Sequence, residues 1–133
     1  MNFVLDASVI LAWILPDEVN ERADAIVSSL AYGSAVAPPI WPMEIRNALL
    51  VAERRKRIDT STTKELLAIL GAHRVTIDAG ISLDKAMEFA RTHRLTIYDA
   101  AYLELATRRR LPLATLDTRL STAAAAEGCA FTI

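Results

Sequence analysis

The sequence of 133 residues predicts an α/β sandwich, with helices packed around a mainly parallel sheet. Three observations carry this. Short strand-like runs recur at 2–5, 35–37, 74–77, 113–116 and 130–133. The longer stretches between them repeat apolar residues at the helical period. No internal repeat, low-complexity segment or linker interrupts the pattern, so residues 1–133 are expected to form one domain.

In chain order, Asn2-Phe3-Val4-Leu5 is an apolar run stopped by Asp6, as a buried strand would be. Residues 7–15 read as a helix ended by Pro16. Residues 17–30 place Val19, Ala23, Ile26, Val27 and Leu30 at a helical period. A brief strand at 35–37 is closed by Pro38-Pro39, and a long amphipathic helix follows over 40–57, with a shorter one over 62–70. Residues 74–77 suit a strand, 83–92 and 98–109 helices, 113–116 a strand, 118–126 a helix and 130–133 a closing strand.

Composition narrows the function classes. At 53% hydrophobic residues the chain can bury a core without disulfides or a structural metal. Its lone cysteine, Cys129, cannot pair internally, and no Cys/His spacing suits zinc, so a reducing cytoplasm is expected. There is no basic N-terminal region of signal-peptide type, and no apolar run approaches the roughly 18 to 20 residues of a membrane span. A soluble protein without a membrane partner is the expectation. The net charge of −1 gives no global pull toward nucleic acid. Basic residues nevertheless bunch at Arg54, Arg55, Lys56 and Arg57 and at Arg108, Arg109 and Arg110.

Four acids stand out. Asp6 and Asp117 each follow a strand and precede a helix, where an N-cap role is the simple explanation. Asp99 lies three residues after Thr96, as in a capping box. Glu44 interrupts the apolar stripe of its helix between Ala48 and Val51, which is costly unless it is paired with an arginine or bound to a cation. Sites in open α/β sheets form beyond the carboxyl ends of the strands, so these four acids can converge on one cleft. Two carboxylates about 5 Å apart repel by roughly 3 kcal/mol at an effective dielectric near 20. Such a cluster calls for raised pKa values or a hard cation, and oxygen-only ligands favour Mg²⁺ or Mn²⁺ over zinc. His73 and His93 lack ligand spacing and read as surface or helix-end residues; Cys129 reads as packing.

Four segments, in this order, resemble the PIN-domain ribonucleases, and especially the VapC-like toxins of bacterial toxin–antitoxin pairs. They are Val4-Leu5-Asp6-Ala7-Ser8, Pro39-Ile40-Trp41-Pro42-Met43-Glu44-Ile45-Arg46-Asn47, Tyr98-Asp99-Ala100-Ala101-Tyr102-Leu103-Glu104-Leu105-Ala106, and Leu113-Ala114-Thr115-Leu116-Asp117. The resemblance covers almost the whole chain. It implies a PIN-like three-layer sandwich and a magnesium-dependent endoribonuclease whose metal is held by Asp6, Glu44, Asp99 and Asp117. It further implies supporting polar roles for Ser8, Thr115 and Asn47, homodimerisation, and a groove for an antitoxin. Where some relatives carry another acid two residues past the last one, this chain has Arg119.

The basic clusters 54–57 and 108–110 close the helices that Glu44 and Asp99 begin. Cations at helix C-termini suit the macrodipole, at about 0.3 to 1 kcal/mol each; RNA-backbone contact is the functional alternative. The apolar residues Leu49, Leu50, Leu66, Leu67, Ile69 and Leu70 exceed what one sheet would cover. They read either as core or as a partner surface. Two rival classes remain: a phosphatase with an aspartyl nucleophile, disfavoured by Ala7 and Ser8 where a second acid would stand, and a catalytically silent PIN-like interaction module, disfavoured by the full set of four acids.

Overall fold

Four strands, β1 (Asn2–Leu5), β2 (Ser34–Ala37), β3 (Val75–Ile77) and β4 (Leu113–Ala114), form one all-parallel sheet in the order β3-β2-β1-β4. They are seen in a computed structural model that describes residues 2–132. Phe3, Val4 and Leu5 are wholly buried, as a parallel strand covered on both faces requires. Val4 is in register with Val36 on one side and with Leu113 on the other.

Seven helices flank the sheet: α1 (Ala7–Ile14), α2 (Glu21–Ser28), α3 (Trp41–Arg54), α4 (Thr60–Gly71), α5 (Leu83–His93), α6 (Ile97–Arg109) and α7 (Thr118–Ala126). The α/β layering expected from the sequence is therefore present. α6 is the most enclosed helix: all seven residues from Ala100 to Ala106 are buried, including Glu104. It lies against β1, β4, α5 and α7 and carries Asp99 in its first turn.

Four elements differ most from the sequence reading. The helix expected over 17–30 begins at Glu21, because Asn20 Oδ1 accepts the Ala23 N–H at 2.9 Å, and its last turn tightens to a 3₁₀ turn at Ser29–Ala31. The helix expected over 40–57 ends at Arg54, where Lys56 turns to φ 58°. The strand expected over 113–116 is only two residues long; beyond it the N–H groups of Leu116 and Asp117 bond side-chain hydroxyls. The closing strand expected over 130–133 reduces to a single bridge between Ala130 and Leu113, and Ile133 lies outside the described residues.

Of the apolar helix residues in apparent surplus, Leu49, Leu66 and Leu70 are core, and Leu67 packs against it. Leu50 and Ile69 remain about half exposed, together with Met43 on α3. Among the described residues, no helix is long and apolar enough to cross a membrane.

Candidate functional site

The chain leaves β1 in two directions, toward β2 and β3 on one side and β4 on the other. The carboxyl ends of β1 and β4 therefore flank a topological switch point, where parallel sheets open a crevice. Asp6 follows β1 directly, and Thr115 and Asp117 follow β4.

Asp6 has the position of an N-cap for α1, but its side chain makes no capping hydrogen bond. Its Oδ2 instead accepts from the Ser8 hydroxyl at 2.6 Å and the Thr115 hydroxyl at 2.7 Å. Each hydroxyl oxygen also accepts a backbone N–H from the loop after β4. Leu116 N donates to Ser8 Oγ at 3.0 Å, and Asp117 N donates to Thr115 Oγ1 at 3.0 Å. A hydroxyl has one proton to give and two lone pairs to receive, so each group spends its only proton on Asp6 while accepting an N–H, which ties Asp6 across the β1–β4 seam. Burial pushes the Asp6 carboxyl above its ordinary pKa, the two hydroxyls oppose that, and the Asp117 charge adds to it.

Glu44 lies in the first turn of α3 and accepts a 2.6 Å hydrogen bond from the Tyr102 hydroxyl of α6. The arginine pairing considered for it is absent; a buried tyrosine takes that place. Burial raises the Glu44 pKa, Tyr102 opposes the rise, and the charges of Asp6 and Asp99 reinforce it. Tyr102 is itself driven far above the usual tyrosine range by burial, then by the charges of Asp6 and Glu44, so it stays a donor. Asp99 is raised by burial and by the charges of Asp6 and Asp117. Its own N–H is capped by Thr96 Oγ1 at 3.1 Å. Asp117 does cap its helix, accepting from Leu120 N at 2.9 Å.

Asp6 and Asp99 thus lie within electrostatic reach of each other and of both Glu44 and Asp117, and none of the four forms an ion pair with a described cation. Among the described residues, however, no three His, Cys, Asp or Glu side chains close on a single point. Their chemistry still fits a hard divalent ion. Mg²⁺ keeps several waters and is held by one or two carboxylates plus substrate phosphate, rather than by an all-protein cage.

The other candidates are placed less uniformly. Asn47, nearly one turn beyond Glu44, is exposed and bonds none of the four acids. Arg57 is fastened to Asp17 by two 2.7 Å bonds and approaches Glu18. Arg108 donates to both oxygens of buried Glu104 and to Asp78, with Arg109 also near Asp78. These cations brace the fold. Arg54, Arg55, Lys56 and Arg110 lie at helix ends and are exposed. His93 lies 2.7 Å from Glu127, His73 bonds the Ile69 carbonyl, and Cys129 is buried. Sequence reasoning missed Tyr102 as a partner of the acids, although it lies three residues after Asp99 and so on the same helix face. It also missed the Glu104–Arg108 pair, which the four-residue spacing could have shown.

Comparison with known proteins gives a match to the PIN domain over residues 3–126. The chain is 33% identical over 130 residues to Ribonuclease VapC3 of Pyrobaculum aerophilum, spanning 91% of this chain and 93% of that protein. It is similar in fold to the crystal structure of PAE2754 from Pyrobaculum aerophilum, with a TM-score of 0.72 at 24% identity over 92% of this chain and 79% of that one. With four acids at the switch point of a four-stranded parallel sheet and a family match over most of its length, the chain belongs to the PIN-domain family and is homologous to a VapC ribonuclease.

Proposed function

We propose that this protein is a magnesium-dependent endoribonuclease, acting as the toxin of a toxin–antitoxin pair in the cytoplasm. The observation that carries this is Asp6: a buried carboxylate, fixed by two hydroxyls, facing three further acids with no protein cation to neutralise them. Asp6, Glu44, Asp99 and Asp117 would hold the ion. Bound there, Mg²⁺ or Mn²⁺ would neutralise phosphate charge and lower the pKa of a bound water.

The chain's own residues prepare that site. Ser8 and Thr115 fix the direction of the Asp6 carboxylate, and Tyr102 fixes that of Glu44. Supporting partners of this kind orient metal ligands and tune them. The similarity to Ribonuclease VapC3 supports RNA as substrate and an antitoxin as partner. The exposed Met43, Leu50 and Ile69 on α3 and α4 offer apolar surface for a homodimer or an antitoxin helix.

RNA cleavage that requires Mg²⁺ or Mn²⁺, stops with EDTA and is lost in Asp6→Asn or Asp99→Asn tests the enzymatic reading. Cleavage surviving full chelation would sink it. A protein that binds a partner yet never cleaves RNA would point to a silent interaction module. Growth arrest on induction, relieved by a co-expressed neighbouring protein, tests the toxin role; normal growth at high levels of active enzyme would remove it.

A further inference from the structure

Close in sequence to two of the four acids are residues that line a cavity of about 310 Å³: His93, Arg94, Thr118, Arg119, Thr122 and Ala123. Its two walls come from the segments that carry two of the acids. Arg94 stands two residues before Thr96, the cap of α6, whose first turn bears Asp99. Thr118 and Arg119 directly follow Asp117.

Arg94 and Arg119 are exposed, and neither forms an ion pair with a described acid, the neighbouring Asp99 and Asp117 included. That separates them from Arg57 and Arg108, whose guanidinium groups are occupied by acids of the fold. Two uncompensated arginines from different elements line one cavity, and guanidinium groups suit the recognition of a phosphate. The first turn of α7 adds little, because Asp117 already takes the Leu120 N–H. The charge comes from side chains. The lining of the cavity is mostly apolar, a surface suited to a sugar or base face. At the lower end of ligand-pocket volumes, this space takes one nucleotide and no bulky protein segment.

We infer that this cavity is a nucleotide subsite for single-stranded RNA, taking the nucleotide next to the one cleaved, with its phosphate on Arg94 and Arg119. This rests on the ribonuclease reading above. A strand whose scissile bond lies at Asp99 and Asp117 continues past Thr118 into the cavity.

The test is binding of a labelled, mixed-sequence, short single-stranded RNA to the cleavage-deficient Asp6→Asn protein across a salt series. Arg94→Ala and Arg119→Ala are added singly and together, with Arg22→Ala on α2 as the charge-matched control. Each subsite change should weaken binding about tenfold, and the double change should lower the salt slope by about 0.7, one phosphate contact. Arg22→Ala should bind as the parent does. In the cleaving wild-type background, Arg94→Ala should raise KM more than it lowers kcat. Equal effects at all three arginines, or none, would overturn the subsite while wild-type cleavage leaves the ribonuclease reading standing. A wild type that neither binds nor cleaves RNA would overturn both.

Discussion

Two carboxylates of this protein are buried among the described residues, Asp6 and Glu104, and the fold treats them in opposite ways. Glu104 is 1% exposed and receives the Arg108 guanidinium on both oxygens, within a network that extends to Asp78 and Arg109. Asp6 is 5% exposed and receives only neutral hydroxyls, while Glu44, Asp99 and Asp117 add negative charge around it. Glu104 lies on α6 and Asp6 near it, the helix carrying Asp99 at its start and Glu104 and Arg108 further on. From Asp99 to Arg108 is about 13 Å along a helix. The protein therefore supplies arginines to one acid pocket and withholds them from the other. A buried charge without a partner is costly, so withholding them makes sense where an external cation binds.

The largest expected effect tests that asymmetry directly. Asp6→Asn keeps size and hydrogen-bonding capacity but removes the charge, and should cut RNA cleavage on the order of 10²- to 10³-fold or more. Its metal-free melting temperature should stay level or rise. Glu104→Gln should leave cleavage per folded molecule unchanged while lowering stability. Equal losses of cleavage in the two variants, measured on protein shown to be folded, would erase the distinction.

Next in size is Arg108→Leu, which strands Glu104 in the core. Removing one partner of a buried pair costs about 3 kcal/mol, read as a fall in melting temperature of roughly 10 °C for a domain of this size. Unchanged stability would mean that water already serves Glu104. Thr115→Val is smaller and falls on the other pocket. It deprives Asp6 of a donor and Asp117 N of its acceptor. The Mg²⁺ concentration for half-maximal cleavage should rise about 10- to 100-fold, with the metal-saturated rate largely retained. An unaltered Mg²⁺ requirement would show that Thr115 does not orient the ligand.

Smaller again is the thermal response to the ion. Mg²⁺ at tenfold excess over its Kd should stabilise the folded state by about 1.4 kcal/mol, a shift of roughly 3 to 6 °C. Asp6→Asn should lose most of that shift, and Asp78→Asn should keep it. The same response in both would mean that the ion binds elsewhere.

How much of this could be read from the residues alone differs between the two pockets. The strand runs and helical periods gave the α/β layering because burial on both faces of a parallel strand leaves a continuous apolar run, as in Phe3-Val4-Leu5. Glu44 was conspicuous because it breaks an apolar stripe, and Asp6 and Asp117 because they end strands. What spacing could not give was the partner of each acid. Tyr102 meets Glu44 across 58 residues of chain, and Thr115 meets Asp6 across 109. Only the fold, which brings the start of α3 to α6 and sets β4 beside β1, creates those contacts. Arg108 misled for the same reason: as a member of a basic run it looked free for RNA, but Asp78, thirty residues earlier in the chain, lies within its reach. The early end of β4 was also hidden, because hydroxyls rather than a neighbouring strand take the N–H groups of Leu116 and Asp117 just past it.

The smallest effect has the most specific sign, and it comes from pH. Burial and the Asp117 charge raise the Asp6 pKa in the folded protein above its unfolded value. Between those two values the folded state holds a proton that the unfolded state has lost. The stability this contributes is complete below the unfolded pKa and is lost as pH rises through the folded one. Asp78 behaves oppositely. The Arg108 guanidinium, then the Gly80 N–H, hold its pKa below the usual carboxylate range, so its contribution is present above the unfolded value and lost as pH falls through the folded one. Metal-free melts from the ordinary carboxylate range up to neutrality should therefore show Asp6→Asn gaining on the wild type as pH increases. Asp78→Asn should trail the wild type at neutral pH and converge with it only in acid. Saturating Mg²⁺ should abolish the first trend, because the ion favours the charged form of Asp6, and should leave the second untouched. If Asp6→Asn and the wild type kept a constant gap across the range without metal, Asp6 would titrate as an ordinary surface acid. The contrast between a compensated and an uncompensated pocket would then fail at its central residue.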